Sequence, residues 1–282
     1  MSVEIFIQAN DNQLVAAKVA KFALETRGCA GARGIPVRIM NVDEMKLFEA
    51  FSGVDYLCAG QMIRYDRRHV QSFTLSRFLP PEMMSFSGRA LVIDPDVLAL
   101  RDVSDLMSFD FKGNAIAACR REKGWESSVM LLDCAKLPHW RIETILGSLK
   151  DARVDYVDLI WLRNEPNVLD LEQSWNSHDR IEPDTRLLHM TRMSTQPWKT
   201  GLRVGATRPD APPILGVIPR TLARRVLGRP EPRFERHPDA DVEHAFMTLF
   251  KDAVRAGAVT EAEISDAIAR ERIRPDIWEQ IA

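Results

Sequence analysis

Short apolar runs and helical spacings take turns along most of this chain. Val3 to Ile7 is rich in β-formers and leads into the polar stretch Gln8-Ala9-Asn10-Asp11-Asn12, which predicts a strand ending in a polar loop. From Leu14 to Leu24, apolar Val15, Val19, Phe22 and Ala23 keep a helical period. Gly28, Gly31 and Gly34 then have the rhythm of a phosphate loop. They follow a helix instead of a strand and lack the Lys-Ser/Thr of a P-loop, so they read as a helix C-terminus and turn. Val37 to Met40 predicts a second strand, Asp43 to Phe51 a helix, and Ser72 to Leu79 a helix that stops at Pro80-Pro81. Between them Arg64, Arg67 and Arg68 read as a solvated loop.

Ala90 to Ile93 is a short apolar run with the character of a buried strand. Val103 to Met107 predicts a short helix, Asn114 to Ala118 a strand, and Arg120 to Gly124 a charged loop. Val129 to Leu132 is a further apolar strand, Ile142 to Leu149 fits a helix, and Thr185 to Leu188 predicts a strand ending in His189. Strands alternating with helices predict an α/β fold around a largely parallel sheet.

The pattern changes beyond about residue 205. Seven prolines fall between Thr207 and Pro238, with six arginines from Arg220 to Arg236, which predicts an arm laid on the surface. Leu222, Val226 and Leu227 against Arg220, Arg224, Arg225 and Arg229 could form a short basic amphipathic helix, a plain solvated helix or a peripheral contact with anionic lipid. Val242, Ala245, Phe246, Leu249, Phe250, Ala253 and Val254 then repeat at i, i+3, i+4, i+7, with Gly257 as the stop. Asp239 or Asp241 suits the N-cap, and Thr260 with Glu263 forms a capping-box signature for one more helix. Residues 1–205 therefore read as the catalytic unit, and residues 206–282 as a Pro/Arg-rich arm with C-terminal helices.

Composition narrows the class. A net charge of -2 argues against a general nucleic-acid binder. Four cysteines without a CxxC pair read as free thiols of a reducing compartment, and no stretch approaches the ~18 apolar residues of a membrane span. The expectation is a cytoplasmic protein, reaching at most the inner face of a membrane through its basic arm.

The candidate chemistry sits where the central strand stops. Asp94-Pro95-Asp96 follows Ile93 directly, and proline ends the ladder, so two carboxylates are delivered to the C-terminal edge of a sheet. Hard oxygen ligands suit Mg²⁺ or Mn²⁺, which often bridge to substrate phosphates. The plain alternative is a surface Asp-Pro-Asp turn.

The order of Asp94-Pro95-Asp96, His189 and Gln196-Pro197-Trp198-Lys199 resembles the pattern of glycosyltransferase family 8, in which a DxD motif and a later histidine hold a divalent cation. Phe73 to Val103, Glu126 to Leu132 and Trp175-Asn176 agree with neighbouring family segments, and the resemblance spans roughly residues 3 to 201. It implies a glycosyltransferase-A α/β fold, Rossmann-like with a mostly parallel central sheet, and a helical C-terminal appendage. It also implies transfer from a UDP-sugar to a glycan, lipid-linked or protein acceptor with retention of configuration. Asp94, Asp96 and His189 would hold the metal, with the imidazole favouring Mn²⁺ over Mg²⁺. Gln8, Ala9, Asn10 and Asp11 would lie against the nucleoside, Arg77 near the donor, and Gln196 and Lys199 at the phosphates. Asp158 would be the carboxylate near the anomeric carbon.

The chain departs from that family at Gln196, where the family has lysine, and at Glu126-Ser127-Ser128, where it has Asn-x-Gly. Tyr156-Val157-Asp158 keeps only the last acid of the family's Asp-Gln-Asp. Two other classes stay open: a non-catalytic relative that binds a sugar nucleotide or a partner, and a nucleotidyltransferase. The second should carry a glycine-rich basic loop after its first strand, which Gln8 to Asn12 is not.

Overall fold

The computed structural model describes residues 2–204 and 231–282. The basic arm at residues 220–229 lies outside them. The strands are β1 (Val3–Ala9), β2 (Val37–Asn41), β3 (Asp55–Cys58), β4 (Gln61–Arg64), β5 (Arg89–Ile93), β6 (Val97–Ala99), β7 (Ile116–Arg121), β8 (Gly124–Asp133), β9 (Leu169–Asp170), β10 (Ser177–His178) and β11 (Leu187–His189). The helices are α1 (Leu14–Glu25), α2 (Lys46–Phe51), α3 (Pro80–Met83), α4 (Ile142–Lys150), α5 (Tyr156–Ile160), α6 (Ala240–Arg255), α7 (Glu261–Ala269) and α8 (Ile277–Ile281). The predicted helix before Pro80 forms as a 3₁₀ helix over Ser72–Phe78.

The central sheet runs β2-β1-β5-β8-β7-β9. Five of its strands point one way and β8 runs against them, so the sheet is mostly parallel. The exception is a hairpin: β7 continues through Arg120 and Arg121 and turns directly into β8 at Gly124. Of the charged residues expected to form a loop, Arg120 and Arg121 are therefore strand, and only Glu122 and Lys123 make the turn at the open end of the sheet. Gly124 is required there. Its φ is +146°, and a Cβ on it would stand 2.7 Å from the Trp161 carbonyl oxygen, so there is no room for a side chain. This close approach holds the segment after α5 against β8.

Burial explains the unbroken apolar run in β5. Leu91 and Ile93 face one core together with α1, while Ala90 and Val92 face the other with α4 and the 3₁₀ helix. The C-terminal helices share the first core: Phe246 of α6 stacks on Trp198 with ring centroids 4.8 Å apart. Asp239 caps α6 by accepting from the Asp241 N–H, and the Thr260–Glu263 capping box opens α7 as its spacing predicts. Among the described residues no helix is long and apolar enough to cross a membrane.

Candidate metal and donor site

Register places the site. Ile7 of β1 pairs with Ile93 of β5, so Gln8 and Asp94 leave the same edge of the sheet side by side. Because β8 is antiparallel, its N-terminal half reaches that edge too, and the Asp94 N–H donates to the Ser128 carbonyl at 3.0 Å. A second, small sheet of β10, β11 and β6 completes the arrangement. His189 pairs with Val97 across β11 and β6, and the Met190 N–H donates to the Asp96 carbonyl at 3.1 Å.

Asp94, Asp96 and His189 are all buried, and one ligand atom from each lies within 4.8 Å of the others. His189 Nε2 is 3.5 Å from Asp96 Oδ1. Asp96 Oδ2 accepts from Gln196 Nε2 at 2.9 Å, whereas Oδ1 is buried with no hydrogen-bond donor. A buried carboxylate oxygen left in that state is unfavourable unless something else neutralises it. Two carboxylates and an imidazole converging on one point fit a divalent cation, by donor type and by this orphaned oxygen.

Arg77, from the 3₁₀ helix, closes the opposite wall. Its Nε donates to Gln8 Oε1 at 3.2 Å and to Asp94 Oδ1 at 3.1 Å, its Nη2 donates to Asp94 Oδ2, and its Nη1 donates to Ser127 Oγ at 2.8 Å. This bidentate pair is almost fully shielded from solvent. Burial pushes the Asp94 carboxyl above its ordinary pKa, with Arg77 pulling the other way and Asp96 adding to the rise. For His189 burial favours the neutral ring, but the neighbouring Asp96, Asp94 and Glu126 outweigh it and the pKa rises.

Behind the imidazole lies a network around Glu126, which the sequence places where the family has Asn-x-Gly, with Arg121 and His178, which sequence reasoning did not assign to the site, and Asn176 of the Trp175-Asn176 pair. Glu126 Oε2 accepts from Arg121 Nε at 3.0 Å and from Asn176 Nδ2 at 3.1 Å, and His178 Nε2 is 2.9 Å away. Burial works against the Glu126 charge, yet His178, His189 and Arg121 together hold its pKa down to about 2. Asn176 also donates to Ser128 Oγ and places Oδ1 2.9 Å from His189 Nδ1. Glu126, His178 and His189 form a second group able to hold a cation.

Arg77, Asp94, Asp96, Glu126, Ser128 and His189 line a cavity of about 200 Å³, to which Gln13, Ser127, Ile160, Trp161 and Gln196 also contribute. Gln8, Arg77, Asp94, Asp96, His189 and Gln196 thus come together. Four residues expected at the nucleoside or phosphates, and the expected catalytic acid, are placed elsewhere. Ala9 is fully buried in the core. Asn10 Nδ2 ties the β1 end to the His69 and Val70 carbonyls and to Ser72 Oγ. Asp11 accepts from Asn41 and Arg272 at a separate, charged depression. Lys199 is fully buried, its ammonium 5.6 Å from the centroids of both Trp198 and Phe234. Asp158 accepts from Arg163 Nη1 at 2.7 Å and lies outside the cavity lining.

No protein-family profile matches the sequence, and no curated protein matches it. Solved structures do. The galactosyltransferase LgtC in complex with donor and acceptor sugar analogs is similar at 18% identity and a TM-score of 0.47, over 70% of this chain and 89% of that one. The glycosyltransferase GlyE of Streptococcus pneumoniae TIGR4 is similar at 14% identity and a TM-score of 0.49, over 97% of this chain and 65% of that one. Mouse xyloside xylosyltransferase 1 is similar at 14% identity and a TM-score of 0.42, over 68% of this chain and 98% of that one.

Proposed function

We propose that this protein is a metal-dependent glycosyltransferase of the glycosyltransferase-A type, similar to family 8. In this reading it moves a sugar from a UDP-sugar to a glycan, lipid-linked or protein acceptor with retention of configuration. The observation that carries the reading is the convergence of Asp94, Asp96 and His189 on one buried point beside Arg77. A sugar nucleotide reacts when its diphosphate leaves, so the site must meet negative charge on the β-phosphate. Mn²⁺ or Mg²⁺ held by Asp94, Asp96 and His189 would supply Lewis acidity to that leaving group.

The chain's own residues account for the rest. Arg77 is a cation on the cavity wall, and its remaining donor directions suit a phosphate or sugar oxygen. Gln13 Oε1 and Gln196 Oε1 are buried without donors, and both residues line the cavity, where ligand hydroxyls would satisfy them. Gln196 additionally holds Asp96 in place. Asp158 lies in α5's first turn, two residues before Ile160 on the cavity wall. Its role at the anomeric carbon requires the side chain to exchange Arg163 for substrate.

An Asp96→Asn variant tests the proposal. It removes one anionic ligand while keeping the Gln196 contact and the volume, so the fold should survive. Loss of both Mn²⁺ affinity and sugar transfer is the expected result. Unchanged transfer with the metal stripped away would exclude the metal-dependent mechanism.

A further inference from the structure

Strand register brings a second imidazole to His189. β10 runs parallel to β11 and His178 pairs with His189, so the two side chains leave the same face of the small sheet. Their ring centroids are 5.3 Å apart, and the rings stand perpendicular at 89°. Glu126 reaches the same point from β8, and one ligand atom from each of the three lies within 4.8 Å of the others. His178 remains partly exposed, which gives an ion its way in.

One contact in this group is unfavourable as it stands. His178 Nε2 is buried and makes no hydrogen bond, although Glu126 Oε2 is 2.9 Å away. Two electron-rich atoms this close, without an aligned proton between them, call for a cation beside both. Arg121 and Asn176 donate to Oε2, and Oε1 accepts from neither, so the carboxylate is held in place and still has an oxygen to give.

The donor set names the class of ion. Two imidazoles and one carboxylate are the ligands of many catalytic zinc sites, with a fourth position left open. Imidazole suits Zn²⁺, Cu²⁺ and Ni²⁺, whereas Mn²⁺ and Mg²⁺ are suited by carboxylate and carbonyl oxygens. Arg121 already balances the Glu126 charge, which favours an ion bound chiefly through neutral nitrogen. His189 belongs to this group and also to that of Asp94 and Asp96. Its Nδ1 proton is held by Asn176 Oδ1, so only Nε2 has a lone pair to give, and one lone pair serves one ion.

We propose that Glu126, His178 and His189 form a zinc-class site overlapping that of Asp94, Asp96 and His189, and that Zn²⁺ bound there withdraws His189 from the Mn²⁺ ligands. The competition rests on the metal-dependent reading above, but the zinc site itself does not.

The full chain, labelled with ¹⁵N-histidine and freed of metal, gives six ring environments, assigned by single His→Gln substitutions. Zn²⁺ should shift the ring nitrogens of His178 and His189 together and saturably, leaving His69, His139, His237 and His244 in place. This paired shift is read on the parent chain, so it stands even where a variant fails to fold. Competition with a chromogenic zinc chelator measures Zn²⁺ affinity, and electron paramagnetic resonance of free Mn²⁺ measures the other site. His178→Gln should lower Zn²⁺ affinity by well over the ~10-fold that loss of an outer partner costs, and Mn²⁺ affinity far less. Asp96→Asn should do the reverse. Saturating Zn²⁺ should weaken Mn²⁺ binding to the parent by about 10-fold or more. Zn²⁺ shifts confined to the other four histidines or to His189 without His178, or unchanged Zn²⁺ affinity in His178→Gln, would overturn the site. Mn²⁺ affinity unmoved by saturating Zn²⁺ would overturn the competition. Paired shifts of His178 and His189 in a chain that takes up no Mn²⁺ keep the zinc site and remove the Mn²⁺ site of the proposed function.

Discussion

Asn176 Oδ1 lies 2.9 Å from His189 Nδ1, and this contact decides which face of the imidazole meets a cation. The orientation of the amide is fixed from its other end, because Nδ2 donates to the Glu126 carboxylate, which only accepts. Oδ1 must therefore accept, so His189 carries a proton on Nδ1, and Nε2, on the side of Asp96, is the ring nitrogen that becomes available to a cation when it is deprotonated. In the proposed metal site Arg121, Glu126 and Asn176 would act in series to orient His189. Partners of this kind typically contribute 10–100-fold in metal affinity.

Asn176→Ala should consequently weaken Mn²⁺ binding by about 10–100-fold while the protein stays folded. Electron paramagnetic resonance of free Mn²⁺ during titration measures it. An affinity equal to that of the parent protein would show that His189 needs no such support.

The Arg77–Asp94 pair is buried, so removing one partner leaves the other charge uncompensated. Arg77→Ala should destabilise the fold by about 3–5 kcal/mol in urea unfolding. Mn²⁺ at the proposed site would supply the missing positive charge beside Asp94. At ~100-fold excess over its Kd it should restore about 2.7 kcal/mol. A loss that Mn²⁺ leaves untouched would place the cation elsewhere.

Glu126 gives a pH signature. Its folded pKa of about 2 lies below the unfolded value of 4.5, so its contribution is complete above pH 4.5 and fades as the pH falls towards 2. The size is of order 3 kcal/mol at one pKa unit per 1.36 kcal/mol. Glu126→Gln should flatten the stability profile of the parent across that window, which acid titration of urea midpoints will reveal.

Much of this was readable in the chain. The strand Ala90 to Ile93 is apolar on both faces because both faces are covered, and its stop at Pro95 fixes where Asp94 and Asp96 emerge. His189 was legible as the end of a strand, although only the pairing of Leu187–His189 with Val97–Ala99 shows that it returns to the carboxylates. The β7–β8 hairpin was not legible. Its Arg120 to Gly124 run is polar because the strands extend past the covered core, and polarity alone reads as loop. Asp158 and Lys199 had suitable chemistry at suitable spacings, but neither spacing reports that Arg163 and the Trp198 and Phe234 rings are their neighbours.

Asp158→Asn tests the proposed catalytic carboxylate separately from the proposed metal. Loss of turnover by ~10²-fold or more, with Mn²⁺ and UDP affinity retained, is expected of a group acting on the reacting carbon. Unchanged turnover would assign Asp158 a surface ion pair with Arg163 and nothing more.

The proposed site takes a metal together with a nucleoside diphosphate. Thermal unfolding with UDP and with a series of UDP- and GDP-sugars, each with and without Mn²⁺, measures it most directly. A rise in melting temperature that needs both UDP and Mn²⁺, with the preferred donor giving the largest rise, is the expected result. A melting temperature unmoved by every nucleotide, with or without the metal, would contradict it.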